Sequence, residues 1–357
     1  ITYVYSKIIK RAASNILFPF LFYTRSYYLT RPFYSGLGSI LMFHRVCPES
    51  STPRIRGNAG LEVTPEYLKK TIAFLRQNNY EIVSLSRIDK LINSNNIAKK
   101  FAVFTFDDGY ADNYIHAYPI LKEHEVPFTI YITTNLPDGE AILWWYLLED
   151  LVLRKNQIEF QLNGRNHQYS CTSHLQKEWT YQEIHKLILN GPSSELNQRI
   201  LQVFKNYNIS LLKKTFEVAL TWEQIREMSK DPLVEIGAHT INHHALSKLT
   251  DSAVHKEIEG SRNKIESKID QKVEHFCYPF GTSNEVGERE FEIAKKYGFK
   301  TSTTTCAANI FSEHKNLLER LPRLAINQKR DNGNINYLNL WLNGTLPCIL
   351  NKLKRVL

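Results

Sequence analysis

Cysteine is scarce and scattered in this 357-residue chain: Cys47, Cys171, Cys277, Cys306 and Cys348, odd in number and never spaced as CxxC. That argues against a disulfide-stapled framework and a thiolate zinc site, and a reducing compartment fits it best. Long hydrophobic runs are absent too. Nothing approaches the roughly 18 apolar residues of a spanning helix, and the longest early stretch, residues 16–23 (ILFPFLFY), is short and holds Pro19. No small-residue cleavage site follows it, so no secretory signal is expected there. There is no internal repeat, no low-complexity tract and no basic stripe interleaved with stacking aromatics, so nucleic acid is not an expected partner.

What remains is the composition of a globular protein, 43% hydrophobic and 23% charged, with enough chain for a sizeable core. The formal net charge of +9 serves solubility or an anionic partner, such as a membrane surface, a phosphate-linked sugar or an acidic polysaccharide. Aromatic and basic residues crowd residues 1–35, which read as a docked helix or a membrane-surface contact. A cytoplasmic location, extending to the membrane surface, is expected over a secreted or periplasmic one.

Apolar β-rich runs recur and end in polar residues: Gly38–Phe43, Glu81–Leu85, Ala102–Phe106, Phe128–Ile132, Leu233–Gly237, His275–Tyr278, Phe299–Thr303 and Leu321–Ile326. Amphipathic segments lie between many of them. Thr64-Pro65-Glu66 opens one helix, and Asp251 is expected to cap another whose Val254, Ile258, Ile265 and Ile269 share a face. Such alternation predicts an α/β fold, a parallel sheet covered by helices. The expected division is an N-terminal segment 1–35, a barrel domain 36–330 and a tail 331–357. A mostly helical insertion, about 138–220, interrupts the barrel between two strands.

Four polar clusters follow apolar runs, where a parallel barrel presents its active-site loops. Asp107-Asp108-Gly109, after AVFTF, is alone more often a solvated turn; at the rim of a core, one carboxylate can hold a metal while its neighbour acts as base. His239 and His243, at i and i+4, would converge on one ion if they shared a helical turn, with Asp108 as third ligand and an open position for water. His244 is out of phase and expected to point elsewhere. Cys277-Tyr278-Pro279-Phe280-Gly281 offers an aromatic wall and a tight turn. His44, closing GSILMF, is either a structural histidine or a general acid.

Together these motifs resemble the polysaccharide deacetylases with a NodB homology domain, carbohydrate esterase family 4. TFDDG is matched in full at Thr105–Gly109, and H-[S/T]-x-x-H at His239–His243. The third motif, R-x-P-[Y/F]-G, is matched except that Cys277 stands at its arginine. Leu220–Gln224 and Leu321–Leu324 are also similar to the family, and the resemblance covers about residues 36–135 and 220–330. No Leu-x-His motif follows Gly281. The segment Leu41–Arg45 instead resembles the poly-N-acetylglucosamine deacetylases, whose catalytic histidine comes early.

The resemblance implies a distorted (β/α) barrel and metal-dependent removal of an N-acetyl group from an amino sugar in a glycan or glycan precursor, releasing acetate. It assigns one divalent ion, Zn²⁺ before Co²⁺, Ni²⁺ or Mn²⁺, to Asp108, His239 and His243. Asp107 would be the base, metal-bound water the nucleophile and His44 the acid. Substrate and oxyanion contacts would come from the backbone N–H of Tyr110 and from Tyr278, Pro279, Phe280 and Gly281. Arg323 is expected to supply the missing guanidinium, and Trp144 and Trp145 of the insertion to form a lid over a lipid- or phosphate-linked sugar. The alternatives are a deformylase of a lipid-linked formamido sugar and a non-catalytic carbohydrate-binding protein of the same fold.

Overall fold

The structure, a computed structural model, describes residues 16–50, 52–94 and 97–356. Residues 1–15 of the expected N-terminal segment and the last residue of the expected tail lie outside the described residues.

Eight strands form one parallel sheet: β1 (Gly38–Phe43), β2 (Glu81–Ile82), β3 (Phe101–Phe106), β4 (Phe128–Ile132), β5 (Val234–Ala238), β6 (His275–Cys277), β7 (Thr301–Thr303) and β8 (Leu324–Ala325). The order across the sheet is β7-β6-β5-β4-β3-β1-β8, with β2 paired to the start of β3. β1, β3 and β4 are buried at every position, which is why their sequences are continuous apolar runs rather than alternating ones. The sheet curls into a barrel: Leu321, just before β8, bridges Thr303 of β7 and brings the two edges together.

Helices cover the outside. Thr64 caps the helix Pro65–Gln77 by accepting the Tyr67 N–H at 3.1 Å. In the helix Asp251–Ile269 the expected stripe Val254, Ile258, Ile265 and Ile269 is buried. Its N-cap is Thr250, however, and Asp251 is the first helical residue, where a carboxylate meets the positive end of the helix dipole instead of capping it.

The insertion lies between β4 and β5. Its helices Trp144–Arg154, His174–Leu189 and Leu196–Phe204 enclose a hydrophobic cluster separate from that of the barrel. It also contains an antiparallel hairpin, Gln157–Leu162 with Arg165–Ser170, absent from the expected helical reading. Its signal was present: QIEFQL alternates, burying Ile158, Phe160 and Leu162, and Asn163-Gly164 takes positive φ at both positions, as a two-residue hairpin turn needs.

The expected tail is folded. Leu338–Leu342 and Thr345–Leu350 are short helices, and Leu338, Leu340, Trp341 and Leu342 are buried. Trp341 packs edge-on against Phe18 of the helical stretch 16–23, with the Arg330 guanidinium 3.9 Å over its ring.

Candidate active site

The C-terminal ends of β1, β3, β5 and β6 deliver His44, Asp107 with Asp108, His239 and Cys277 to one end of the barrel. Four non-glycine residues of these loops adopt positive φ: Asp108, Thr240, His243 and Phe280. For a β-branched residue such as Thr240 this conformation is costly, and strain of this kind is held only where surrounding contacts dictate it. Glu257 supplies such contacts. Buried on the helix Asp251–Ile269, it accepts the N–H groups of Ile241 and Asn242, both at 2.9 Å, and the Asn242 side chain at 2.6 Å.

His239 and His243 converge through this strained loop and not through a helical turn: β5 ends at Ala238 and no helix follows until Leu246. Their Nε2 atoms lie 3.4 and 3.3 Å from the same oxygen, Oδ1 of Asp108. The Nδ1 of His239 is 2.7 Å from the Cys277 carbonyl, which fixes a tautomer with Nδ1–H donating outward and Nε2 facing Asp108. Oδ1 of Asp108 is buried without a hydrogen-bond partner, an arrangement that would be costly unless something cationic fills the gap. These two separations match the about 3.3–3.4 Å between neighbouring ligand atoms of a tetrahedral ion bound at about 2.0–2.1 Å, so this trio could hold one divalent ion. His244 turns away, its Nδ1 3.9 Å from Glu257.

The charges agree with that fit. Burial would raise the Asp108 carboxyl, but His243 and His239 hold it well below its ordinary range. Burial would lower His239, yet Cys277, Asp108 and Asp107 hold it well above the usual imidazole value. Asp107, His239 and Cys277 also lie close together. Of these, Asp107 and Cys277 already face the Arg323 guanidinium, which makes this group the less suited of the two to a cation.

Arg323 is wholly buried inside the barrel. Its Nη1 and Nη2 donate to the two oxygens of Asp107 at 2.6 and 2.7 Å, its Nε donates to the Thr304 carbonyl, and Nη2 sits 3.0 Å from the Cys277 sulfur. Burial would raise the Asp107 carboxyl, and Arg323 keeps it low, hence ionised. His44 Nε2 is 3.9 Å from Asp107 Oδ2; burial lowers its pKa, against the pull of Asp107 and Asp108.

Other expected site residues are distributed differently. The Tyr278 ring is buried among Phe276 and Phe291 with its hydroxyl donating to the Glu319 carbonyl, so it is core rather than substrate wall. Pro279 is buried beside it. Phe280 is the exposed wall, its ring 4.9 Å from that of His243, and Gly281 turns where a Cβ would meet the Thr305 nitrogen at 2.8 Å. The Tyr110 side chain is fully buried, leaving only its backbone for chemistry. Trp144 is core to the insertion, whereas Trp145 is half-buried with its ring 6.2 Å from His243. Trp145, Phe280, Asn242 and His243 line a small cleft of about 80 Å³.

Sequence reasoning missed two supports. Glu257 was detectable as a charge on the apolar face of its helix. Asp112 accepts from Arg45 Nε at 2.6 Å and from the Val46 N–H at 3.1 Å, pinning the loop that starts at His44. No spacing rule links those two segments.

Residues 94–190 and 189–302 match the polysaccharide deacetylase family profile. The chain belongs to this metal-dependent family. The two matched stretches run through the whole insertion and leave out β1, β2 and β8, so His44 and Arg323 stand on geometry. The poly-β-1,6-N-acetyl-D-glucosamine N-deacetylase of Escherichia coli is 22% identical over 72% of this chain and 32% of that protein. Bacillus subtilis YxkH, which carries a polysaccharide deacetylase designation, is 22% identical over 74% of this chain and 63% of its own length. The chain thus spans less than two thirds of either relative. Among solved structures, a Streptococcus pyogenes deacetylase in complex with acetate superposes with a TM-score of 0.55 at 20% identity, covering 85% of this chain and 97% of that one. IcaB from Ammonifex degensii superposes with a TM-score of 0.52 at 17% identity, covering 85% and 96%. Both share the fold.

Proposed function

We propose that this polysaccharide deacetylase family member hydrolyses the N-acetyl group of an amino sugar in a glycan or glycan precursor, releasing acetate and a free amine. The observation that carries the reading is the pairing of an unpartnered Asp108 oxygen between two imidazoles with an adjacent, ionised Asp107. Asp108, His239 and His243 would hold the ion, zinc by its donor set. When bound, it would act as a Lewis acid on the amide carbonyl and lower the pKa of water to about 7.

The residues divide the remaining work. Asp107, kept anionic by Arg323, accepts the proton of the attacking water, using lone pairs that the guanidinium leaves free. The backbone N–H of Tyr110 is assigned to the negative charge that develops on the carbonyl oxygen. His44 donates to the departing amine, and its lowered pKa makes its protonated form a stronger acid. Trp145 and Phe280 flank His243 and would shield the sugar from water on that side.

The Arg323–Asp107 contact supports catalysis over a non-catalytic binding role, because it supplies the guanidinium that the third motif lacks. The test measures bound metal and acetate release together, on wild type, Asp107→Asn and His243→Ala, with N-acetylated oligosaccharides and lipid- or nucleotide-linked sugars. Asp107→Asn should keep the metal and lose about 10²–10⁴-fold in rate. His243→Ala should lose the metal. Full turnover in Asp107→Asn would overturn the reading.

A further inference from the structure

Ten of the sixteen large apolar side chains exposed among the described residues come from the two ends of the chain. They include Phe20, Leu29, Phe33, Ile349 and Leu350, with Leu29 79% exposed. These ends are distant in sequence yet packed side by side. The hydroxyls of Thr30 and Thr345 lie 2.7 Å apart, and the Tyr34 hydroxyl donates to the Leu353 carbonyl at 3.2 Å. Apolar exposure concentrated in this way marks an interaction surface rather than the scattered exposure ordinary for soluble proteins.

Charge is distributed in the same way. The first 48 and last 26 residues hold nine Lys and Arg and no Asp or Glu, while the chain between them balances at 36 of each sign. The entire net charge of +9 therefore belongs to the two ends. Of the nine, Arg45 is half-buried and paired with Asp112, whereas Arg25, Arg31, Lys352, Lys354 and Arg355 are exposed. Beside Phe33, a basin of about 460 Å³ is lined by Arg31, Lys100 and Arg355. Arg355 pairs with Glu313, and Lys100 donates to Ser35 Oγ at 2.7 Å and to the Gly36 carbonyl. Burial and the neighbouring Arg31 bring the Lys100 ammonium down to about 8, the mark of a cation short of negative partners.

We propose that the two ends form a docking surface for an anionic phospholipid bilayer. Phe20, Leu29, Phe33 and Ile349 enter the boundary between headgroups and acyl chains, and the basin of Arg31, Lys100 and Arg355 receives a lipid phosphate. Self-association through the same surface is disfavoured, because a two-fold contact would set like charges against each other. A cleft of about 860 Å³ runs from this surface, at Phe18, Trp341 and Leu346, to the loop beyond His44, at Cys47 and Pro48. A docked bilayer would therefore lie beside that loop.

The experiment is flotation of the full chain with vesicles of phosphatidylcholine alone or mixed with phosphatidylglycerol. Wild type should float with the anionic vesicles, less with neutral ones, and progressively less as salt is raised. Arg31→Ala/Arg355→Ala should weaken partitioning about fivefold per residue removed. Phe20→Ser/Leu29→Ser/Phe33→Ser, all at exposed sites, should abolish it while keeping the wild-type melting temperature. Equal flotation of the triple variant and wild type would overturn the proposal. So would indifference to phosphatidylglycerol, or a wild-type dimer that binds no vesicle and becomes monomeric in the triple variant. No turnover is read, so the outcome stands apart from that of the deacetylase assay.

Discussion

At the scale of single residues, the site turns on an exchange. Where the third motif resembles R-x-P-[Y/F]-G, this chain has Cys277, and the guanidinium arrives instead from Arg323 ahead of β8. The swap is physically consistent: the arginine fork reaches both Asp107 oxygens, and a small side chain at 277 leaves room for it. Removing one partner of a buried, hydrogen-bonded ion pair strands the other charge, at a cost of about 3–5 kcal/mol. Arg323→Ala should therefore lose turnover by two orders of magnitude or more, on the order of a lost proton-transfer group, and melt earlier. Arg323→Lys keeps the charge without the fork and should recover only part of kcat. Measuring kcat at equal metal occupancy separates positioning from folding; a folded Arg323→Ala enzyme with wild-type kcat would remove Arg323 from the site. The sequence made most of this cluster legible, because each member closes a hydrophobic run. The orientation of individual side chains was not legible: Tyr278 and Phe280 differ in sequence by two residues, yet one is core and the other wall.

At the scale of elements, strands were readable and the loops joining them were not. Each of the eight runs contains a strand, and the continuous apolar ones, β1, β3 and β4, are buried at every position, whereas Glu81–Ile82 is a short, partly exposed edge strand. The His239–His243 spacing suggested a helical turn, since spacing alone does not distinguish a helix from a strained loop with Thr240 in the left-handed region. What holds that loop is Glu257, sixteen residues from Ile241. Glu257→Gln preserves shape but weakens acceptance of two backbone N–H groups, and it should lower metal affinity about 10–100-fold, as loss of an outer-shell partner typically does. Competition with a chelator measures this directly, and unchanged affinity would make Glu257 a folding residue only. The hairpin in the insertion was legible in the alternation of QIEFQL and its Asn163-Gly164 turn, although the surrounding helical pattern masked it. Adjacent Trp144 and Trp145 both border the cleft beside His243, but Trp144 is buried in the insertion's core while the Trp145 ring is the one that reaches His243.

For the whole molecule, metal binding and folding should be coupled, and the buried charges give the coupling a direction. Before an ion binds, His239 is held well above its ordinary pKa by Cys277, Asp108 and Asp107, despite burial. A raised folded-state pKa contributes stability that is fully present below the unfolded value, near 6.5, and is lost as pH rises through the folded one. The metal-free protein should thus surrender part of its stability as pH rises from 6.5 into the alkaline range. An ion takes the same nitrogen and requires it deprotonated, so metal affinity should increase over that range. The melting-temperature gain on adding zinc should accordingly widen with pH. At an ion concentration a hundredfold above the dissociation constant, the stabilisation is about 2.7 kcal/mol, on the order of 5 °C for a domain of this size. Thermal melts of chelated and zinc-loaded protein at pH 6 and pH 8 test it, with His243→Ala as the control that should show little gain at either pH. A gain that is constant with pH would mean that no proton leaves when the ion binds, and that His239 is already neutral in the metal-free fold.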